Sequence, residues 1–125
     1  MRNVSFVAAA VLGVVFAVPA MAQDPSKVDA KHYKVEFEND QVRVLRIKYG
    51  PKEKSVMHEH PGAVAVFLTD GNVKFTLADG KTRDSPVKAG TSQWTPAGKH
   101  LPENMSDKPF ELVLVEVKAK PAKGK

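Results

Sequence analysis

The feature that most restricts the fold is a rhythm of short apolar runs divided by turn residues. Beyond the first 22 residues, apolar side chains nowhere recur at i, i+3, i+4 and i+7 for three turns, so no helix of consequence is expected. Candidate strands are His32 to Phe37, Val42 to Tyr49, Ala63 to Leu68, Asn72 to Leu77, Lys81 to Ser85, Thr91 to Thr95 and Phe110 to Val117, rich in Val, Phe, Thr and Leu. Asp70-Gly71 and Asp79-Gly80 stand between such runs. Asp-Gly readily takes the positive φ angles of tight hairpin turns, so two hairpins are expected. Short strands at regular spacing predict an all-β domain, a sandwich or barrel that closes or covers its sheet edges.

Residues 1–22 follow another pattern. Met1-Arg2-Asn3 is a short positive start, Val4 to Val18 is almost wholly apolar, and Ala20-Met21-Ala22 is the small-x-small sequence that signal peptidases cut. Cleavage before Gln23 is expected, and with it a periplasmic or secreted protein with no membrane attachment. The remaining length suits one domain. Residues 23–40 form a polar lead-in, flexible over Gln23 to Lys31, and the first strand. Residues 119–125 form a basic solvated tail. The chain has no cysteine, so it carries no disulfide, and any metal must be held by nitrogen and oxygen. Net charge is +5, or +4 without Arg2, with much of the excess in Lys118, Lys120, Lys123 and Lys125. Aromatic residues are not interleaved with basic ones as base stacking requires, so nucleic acid is not an expected partner.

His58-Glu59-His60 is the most informative triplet. On a strand, residues two apart share a side, so both imidazoles can bite one metal ion. If the strand runs unbroken, His58, His60, Val64, Val66 and Leu68 share one face, and its aliphatic members make it the buried one. His100 follows a Gly- and Pro-rich approach from Gly90 to Gly98 that brings a distant strand back toward the first pair. Three imidazoles make a catalytic type of metal site with open positions. The expected cofactor is a divalent ion: iron, manganese, nickel, copper or zinc. Met57 and Met105 flank the histidines, and a thioether there would suit copper. Glu59 and Glu103 are each an odd number of residues from a proposed ligand and face away on a regular strand. His32, among polar neighbours, reads as a surface residue. Ser55 and Ser92 suggest no catalytic triad.

The same two segments resemble the motifs of the cupin family. Gly50, His58, His60 and Gly71 match the first motif, with a long gap after Gly50 and with Val64 where the family's Glu stands. Gly90, Pro96, His100 and Asn104 match the second, one residue short between Gly98 and His100. The resemblance covers roughly Val42 to Val117 and implies a single cupin-type, jelly-roll-like β-barrel over residues 41–118. It implies His58, His60 and His100 as metal ligands, with Asn104 four residues on along the same strand face. Val64 removes a ligand and a negative charge, which leaves a bound ion its full charge and favours an anionic or chelating ligand. Val64, Gln93, Trp94 and Asn104 are the candidate pocket residues, and Phe75 is weighed with them.

Two functional classes follow. One is a metal-dependent, dioxygenase-like enzyme, an oxygenase or isomerase acting on a small acid or phenolic compound. The other is a non-catalytic module that binds a metal or small molecule after losing the Glu ligand. Either could be a homodimer formed by pairing edge strands, as many cupins are.

Overall fold

The computed structural model describes residues 23–119. The expected leader, 1–22, and the lysine-rich end, 120–125, lie outside the described residues. Among those described, no helix is long and apolar enough to cross a membrane.

The chain runs through a helical turn, α1 (Pro25–Val28), then β1 (Tyr33–Glu38), β2 (Val42–Tyr49), β3 (His58–His60), β4 (Ala63–Phe67), β5 (Gly71–Leu77), β6 (Thr82–Val87), β7 (Ser92–Thr95), β8 (Gly98–Asn104) and β9 (Phe110–Val117). The strands form two antiparallel sheets, one of five in the order β1-β2-β9-β4-β7 and one of four in the order β3-β8-β5-β6. The all-β, jelly-roll-like architecture is as expected, although the sheets face one another and do not close into a single barrel.

Period-two alternation explains the core. Leu45, Ile47 and Tyr49 from β2, Ala63, Ala65 and Phe67 from β4, and Leu112 and Leu114 from β9 all point inward. Val73 and Val87 meet them from the other sheet. Fully burying each of the larger aliphatic side chains contributes roughly 1.5–3 kcal/mol, so this layer is the main source of stability.

The structure corrects the phase expected beyond His60. Pro61-Gly62 is a corner at which the chain leaves the four-stranded sheet for the five-stranded one, so inward parity switches. Ala63, Ala65 and Phe67 become the buried set, Val64 and Val66 lie half-buried on the outer face, and Leu68 is exposed. The two Asp-Gly turns also differ. Asp79-Gly80 joins the paired strands β5 and β6, with Gly80 at φ +83°. Asp70-Gly71 joins β4 to β5, which belong to different sheets, so it is no hairpin. Gly71 is needed there for room, since a Cβ would lie 2.5 Å from the Phe110 ring.

The lead-in is docked. Asp24 caps α1 by accepting from the Ser26 amide at 2.9 Å. It also accepts from Arg43 Nη1 at 2.6 Å, while Arg43 Nε donates to Glu116 Oε1 at 2.6 Å. Burial alone would lower the Arg43 pKa, but the hydrogen bonds to Glu116 and Asp24 outweigh it and raise it. Glu116 is almost fully buried, and its second oxygen has no partner. Arg43→Ala therefore leaves a buried carboxylate without its cation and is expected to destabilise the fold by about 3 kcal/mol. Asp24→Ala, which removes a half-exposed partner and a cap, should cost about 1 kcal/mol. Urea unfolding midpoints of the two variants check the ranking.

Candidate functional site

A cavity opens between the sheets, with about 540 Å³ of space free of protein atoms, mouth included. Its wall is largely aliphatic and aromatic, with Phe67, Phe75 and Phe110 among the lining residues. Its polar groups are few: the three histidines, Tyr33, Tyr49, Ser85, Gln93 and Thr95. No Asp or Glu is among the described residues that line it.

Pairing of β3 with β8 brings the histidines together. His58 lies directly opposite His100, and His60 is two residues along β3 on the same side. The ring centroids are 4.9 Å apart for His58 and His100, 4.6 Å for His60 and His100, and 6.3 Å for His58 and His60. His60 Nε2 and His100 Nε2 are 3.1 Å apart. The inner ring nitrogens are free for this because backbone carbonyls take the outer ones: His58 Nδ1 meets the Val56 carbonyl at 2.9 Å, and His60 Nδ1 meets that of Pro61 at 2.8 Å. Such an outer hydrogen bond fixes the tautomer with the proton on Nδ1 and leaves Nε2 a lone pair. His58 Nε2, however, faces the Tyr33 hydroxyl at 3.3 Å. As placed, no group of three or more His, Asp or Glu side chains among the described residues is arranged to hold a metal ion.

Of Val64, Gln93, Trp94 and Asn104, only Gln93 lines the cavity. Val64 and Trp94 pair across β4 and β7 on the outer face, and Trp94 is 59% exposed. Asn104 is buried, but its amide donates to the carbonyls of Gly50 (3.0 Å) and Lys108 (2.8 Å), so it ties down loops. Phe75 does line the cavity, with its ring 4.9 Å from His100, and the Arg83 guanidinium covers it at 5.5 Å. Met57, Met105, Glu59 and Glu103 are all absent from the lining.

Two groups were not legible as site neighbours. Tyr33 and Tyr49 share a hydroxyl contact, and burial raises the pKa of both. Tyr49 is in phase with Leu45 and Ile47, a signal that places it inward. The second group overturns the surface reading of His32, which is only 7% exposed. Its ring stacks on Tyr49 at 4.5 Å, Nδ1 meets Asp29 at 2.8 Å, and Nε2 meets Glu53. Asp29 also accepts from Ser55 Oγ, which lies 3.3 Å from His58 Nδ1. Local polarity around His32 hid this, because two of its partners, Tyr49 and Glu53, are distant in sequence.

A cupin-domain family model matches residues 45–116, more than half of the chain. The chain is a cupin. Among solved structures, a cupin domain from Bordetella pertussis Tohama I is 29% identical, with a TM-score of 0.65, over 70% of this chain and 92% of that one. A cupin-family protein with a double-stranded β-helix fold from Methanocaldococcus jannaschii is 22% identical (TM-score 0.55; 71% and 83% covered). A polyketide cyclase from Streptomyces resistomycificus, 17% identical (TM-score 0.52; 71% and 66% covered), shares the fold. No curated protein matches. Cupins commonly bind metal, and many are enzymes; the fold alone does not choose the activity.

Burial lowers the pKa of His58 to about 4, against a smaller opposing effect of the Val56 carbonyl, and that of His100 to about 3, with the neighbouring histidines adding to it. Below the ordinary value of 6.5 the unfolded chain therefore binds more protons than the folded one. Stability from the neutral rings is complete above pH 6.5 and drains away as pH falls toward about 4 for His58 and about 3 for His100. The thermal midpoint of the metal-free protein should fall across that window, and His100→Gln should flatten the fall. Calorimetry at stepped pH checks both.

Proposed function

We propose that this cupin is exported and that His58, His60 and His100 hold a divalent metal ion beside the cavity, where a small phenolic compound or acid undergoes oxygenase- or isomerase-type chemistry. The observation that carries the reading is the gathering of three imidazoles on one wall of a largely apolar cavity. The donor chemistry fits. Neutral imidazole suits iron, nickel, copper and zinc, and the 3.1 Å between the two Nε2 atoms agrees with the roughly 3.0–3.4 Å expected of two nitrogens about 2.1 Å from one ion. His58 and His100 need lose no proton to bind at neutral pH, because burial already keeps them neutral. Completing the set requires His58 to give up its Tyr33 contact.

A bound ion would polarise a chelating substrate oxygen or present the substrate to O₂. The chain's own residues supply the rest. Tyr33 stays protonated at physiological pH and can donate to a substrate oxygen. Phe75 offers a flat wall beside His100, and the Gln93 amide and Thr95 hydroxyl reach in from the opposite sheet to orient a polar end. Among the described residues no carboxylate lines the site, which leaves an ion's charge to be balanced by the substrate and favours an anionic one. A non-catalytic binding module is the second reading, favoured by the Tyr33 contact that occupies His58 Nε2.

The test is elemental analysis of untagged protein purified without chelator, with thermal shifts on adding Fe²⁺, Mn²⁺, Ni²⁺, Cu²⁺ or Zn²⁺. The wild type should carry near-stoichiometric metal, and an ion at about a hundredfold its Kd should add roughly 2.7 kcal/mol of stability. The variant with all three histidines changed to alanine should show neither. No metal and no shift in the wild type would overturn the site. Bound metal with no O₂ uptake or conversion across small phenols and acids would select the binding module.

A further inference from the structure

Three of the polar residues that line the cavity stand on sheet edges. Ser85 belongs to β6, the last strand of the four-stranded sheet, and Gln93 and Thr95 belong to β7, the last strand of the five-stranded one. Gln93 is exposed and Ser85 and Thr95 are half-buried although all three line the cavity, so solvent reaches its interior past these two edges. Along β6, Val87 is in the core and Ser85 lines the cavity, and Arg83, two residues further on, keeps the same inward phase. Arg83 itself is exposed and stands at the rim, outside the lining. Because β5 lies between β8 and β6, the Phe75 ring has His100 on one flank, 4.9 Å away, and its register partner Arg83 on the other, 5.5 Å away.

The charge of Arg83 is uncommitted. None of the ion pairs among the described residues involves it. Its neighbour Asp84 lies opposite Lys74, on the other face of the sheet. A guanidinium over an aromatic ring is attracted by the ring's face and keeps its in-plane N–H donors for another partner. Phe75 therefore steadies the group without using the fork of donors that matches a carboxylate.

We propose that Arg83 is the specificity-determining residue of the cavity, holding at the rim the carboxylate of a small flat acid whose apolar body lies inside. This rests on the reading of the cavity as a small-molecule site, and it narrows the ligand from phenols and acids to acids. The wall, with Phe67, Phe75 and Phe110, suits a planar apolar body. No lysine or arginine is among the described lining residues, so a single cation at the rim suits one carboxylate better than a doubly charged phosphate. Ser85 and Gln93 add neutral hydrogen-bonding groups beside it. Since Arg83 and His100 flank the same ring, an acid about one aromatic ring long can keep its carboxylate at the rim while its far end faces the histidines.

Titration calorimetry tests this with benzoate, cinnamate and their neutral amides, on the protein as purified and after chelator treatment. Each acid should bind about tenfold more tightly than its amide, the gain from one charge-assisted, two-pronged contact. Arg83→Gln should cut the affinity for the acids about tenfold and affect the amides far less, erasing the preference. Arg83→Lys, which keeps the charge but not the fork, should restore part of it. Unchanged circular dichroism and thermal midpoints would show that both variants still fold. The chelated samples separate this inference from the metal reading: a preference that survives chelation and disappears in Arg83→Gln establishes the role of Arg83 whether or not metal is found. A preference lost on chelation alone would put the carboxylate on the ion, and one that Arg83→Gln leaves intact would put it on another group; either overturns the proposal. So would equal binding of acids and amides, or binding of none of the four at millimolar concentration.

Discussion

Pairing of β9 on both its edges is the interaction on which the other features rest. From Phe110 to Val117 it bonds to β2 on one side, and over its central and C-terminal part to β4 on the other. Without it the β1-β2 hairpin and the β4-β7 pair would be separate ribbons, each too small to bury its apolar face in water. The inward side chains of β9 supply much of the core, and its Glu116 anchors the Arg43-Asp24 clamp that holds the lead-in. The partners of β9 lie some tens of residues away in sequence, so loop-closure entropy must be overcome before the contacts repay it. A domain built this way folds more slowly than one built from local contacts.

The cavity inherits its character from that arrangement. Packing two sheets face to face excludes water from the space between them, and the histidines on β3 and β8 enter it at one end. Low polarizability around them disfavours imidazolium, which is why His58 and His100 are neutral over the physiological range. Backbone carbonyls of Val56 and Pro61 then decide which ring nitrogen faces inward. The same burial that makes the rings available as donors also makes them sensitive to acid, so ligand chemistry and stability are coupled through one physical term. Tyr33 belongs to both, as a packed core residue whose hydroxyl reaches His58.

Much of the architecture was legible from alternation and turn chemistry. Seven expected strands coincide with observed ones to within a residue or two at most ends, and β9 and β2 coincide throughout. The strand β8 was harder to see, because Gly98 and Pro102 are poor strand formers and only tertiary pairing with β3 and β5 keeps them in place. The histidine pair was legible because spacing along one short strand is a local property. The side chain of Val64 was misplaced because its direction depends on the Pro61-Gly62 corner, where a change of sheet resets the parity. His32 was misread for a related reason: its burial comes from Tyr49 and Glu53, which are remote in the chain.

By itself, then, the sequence determined an all-β chain without thiols, the same-side relation of His58 and His60, and a turn at Asp79-Gly80, since each follows from backbone sterics or composition within a few residues. Only the tertiary structure decided which residues look into the cavity, that His100 faces His58 across a strand pair, that Trp94 and Val64 look outward, and that Asn104 ties loops together. Those outcomes depend on which distant strands pair and in what register, and register is a property of the two chains of contacts together, not of either segment alone.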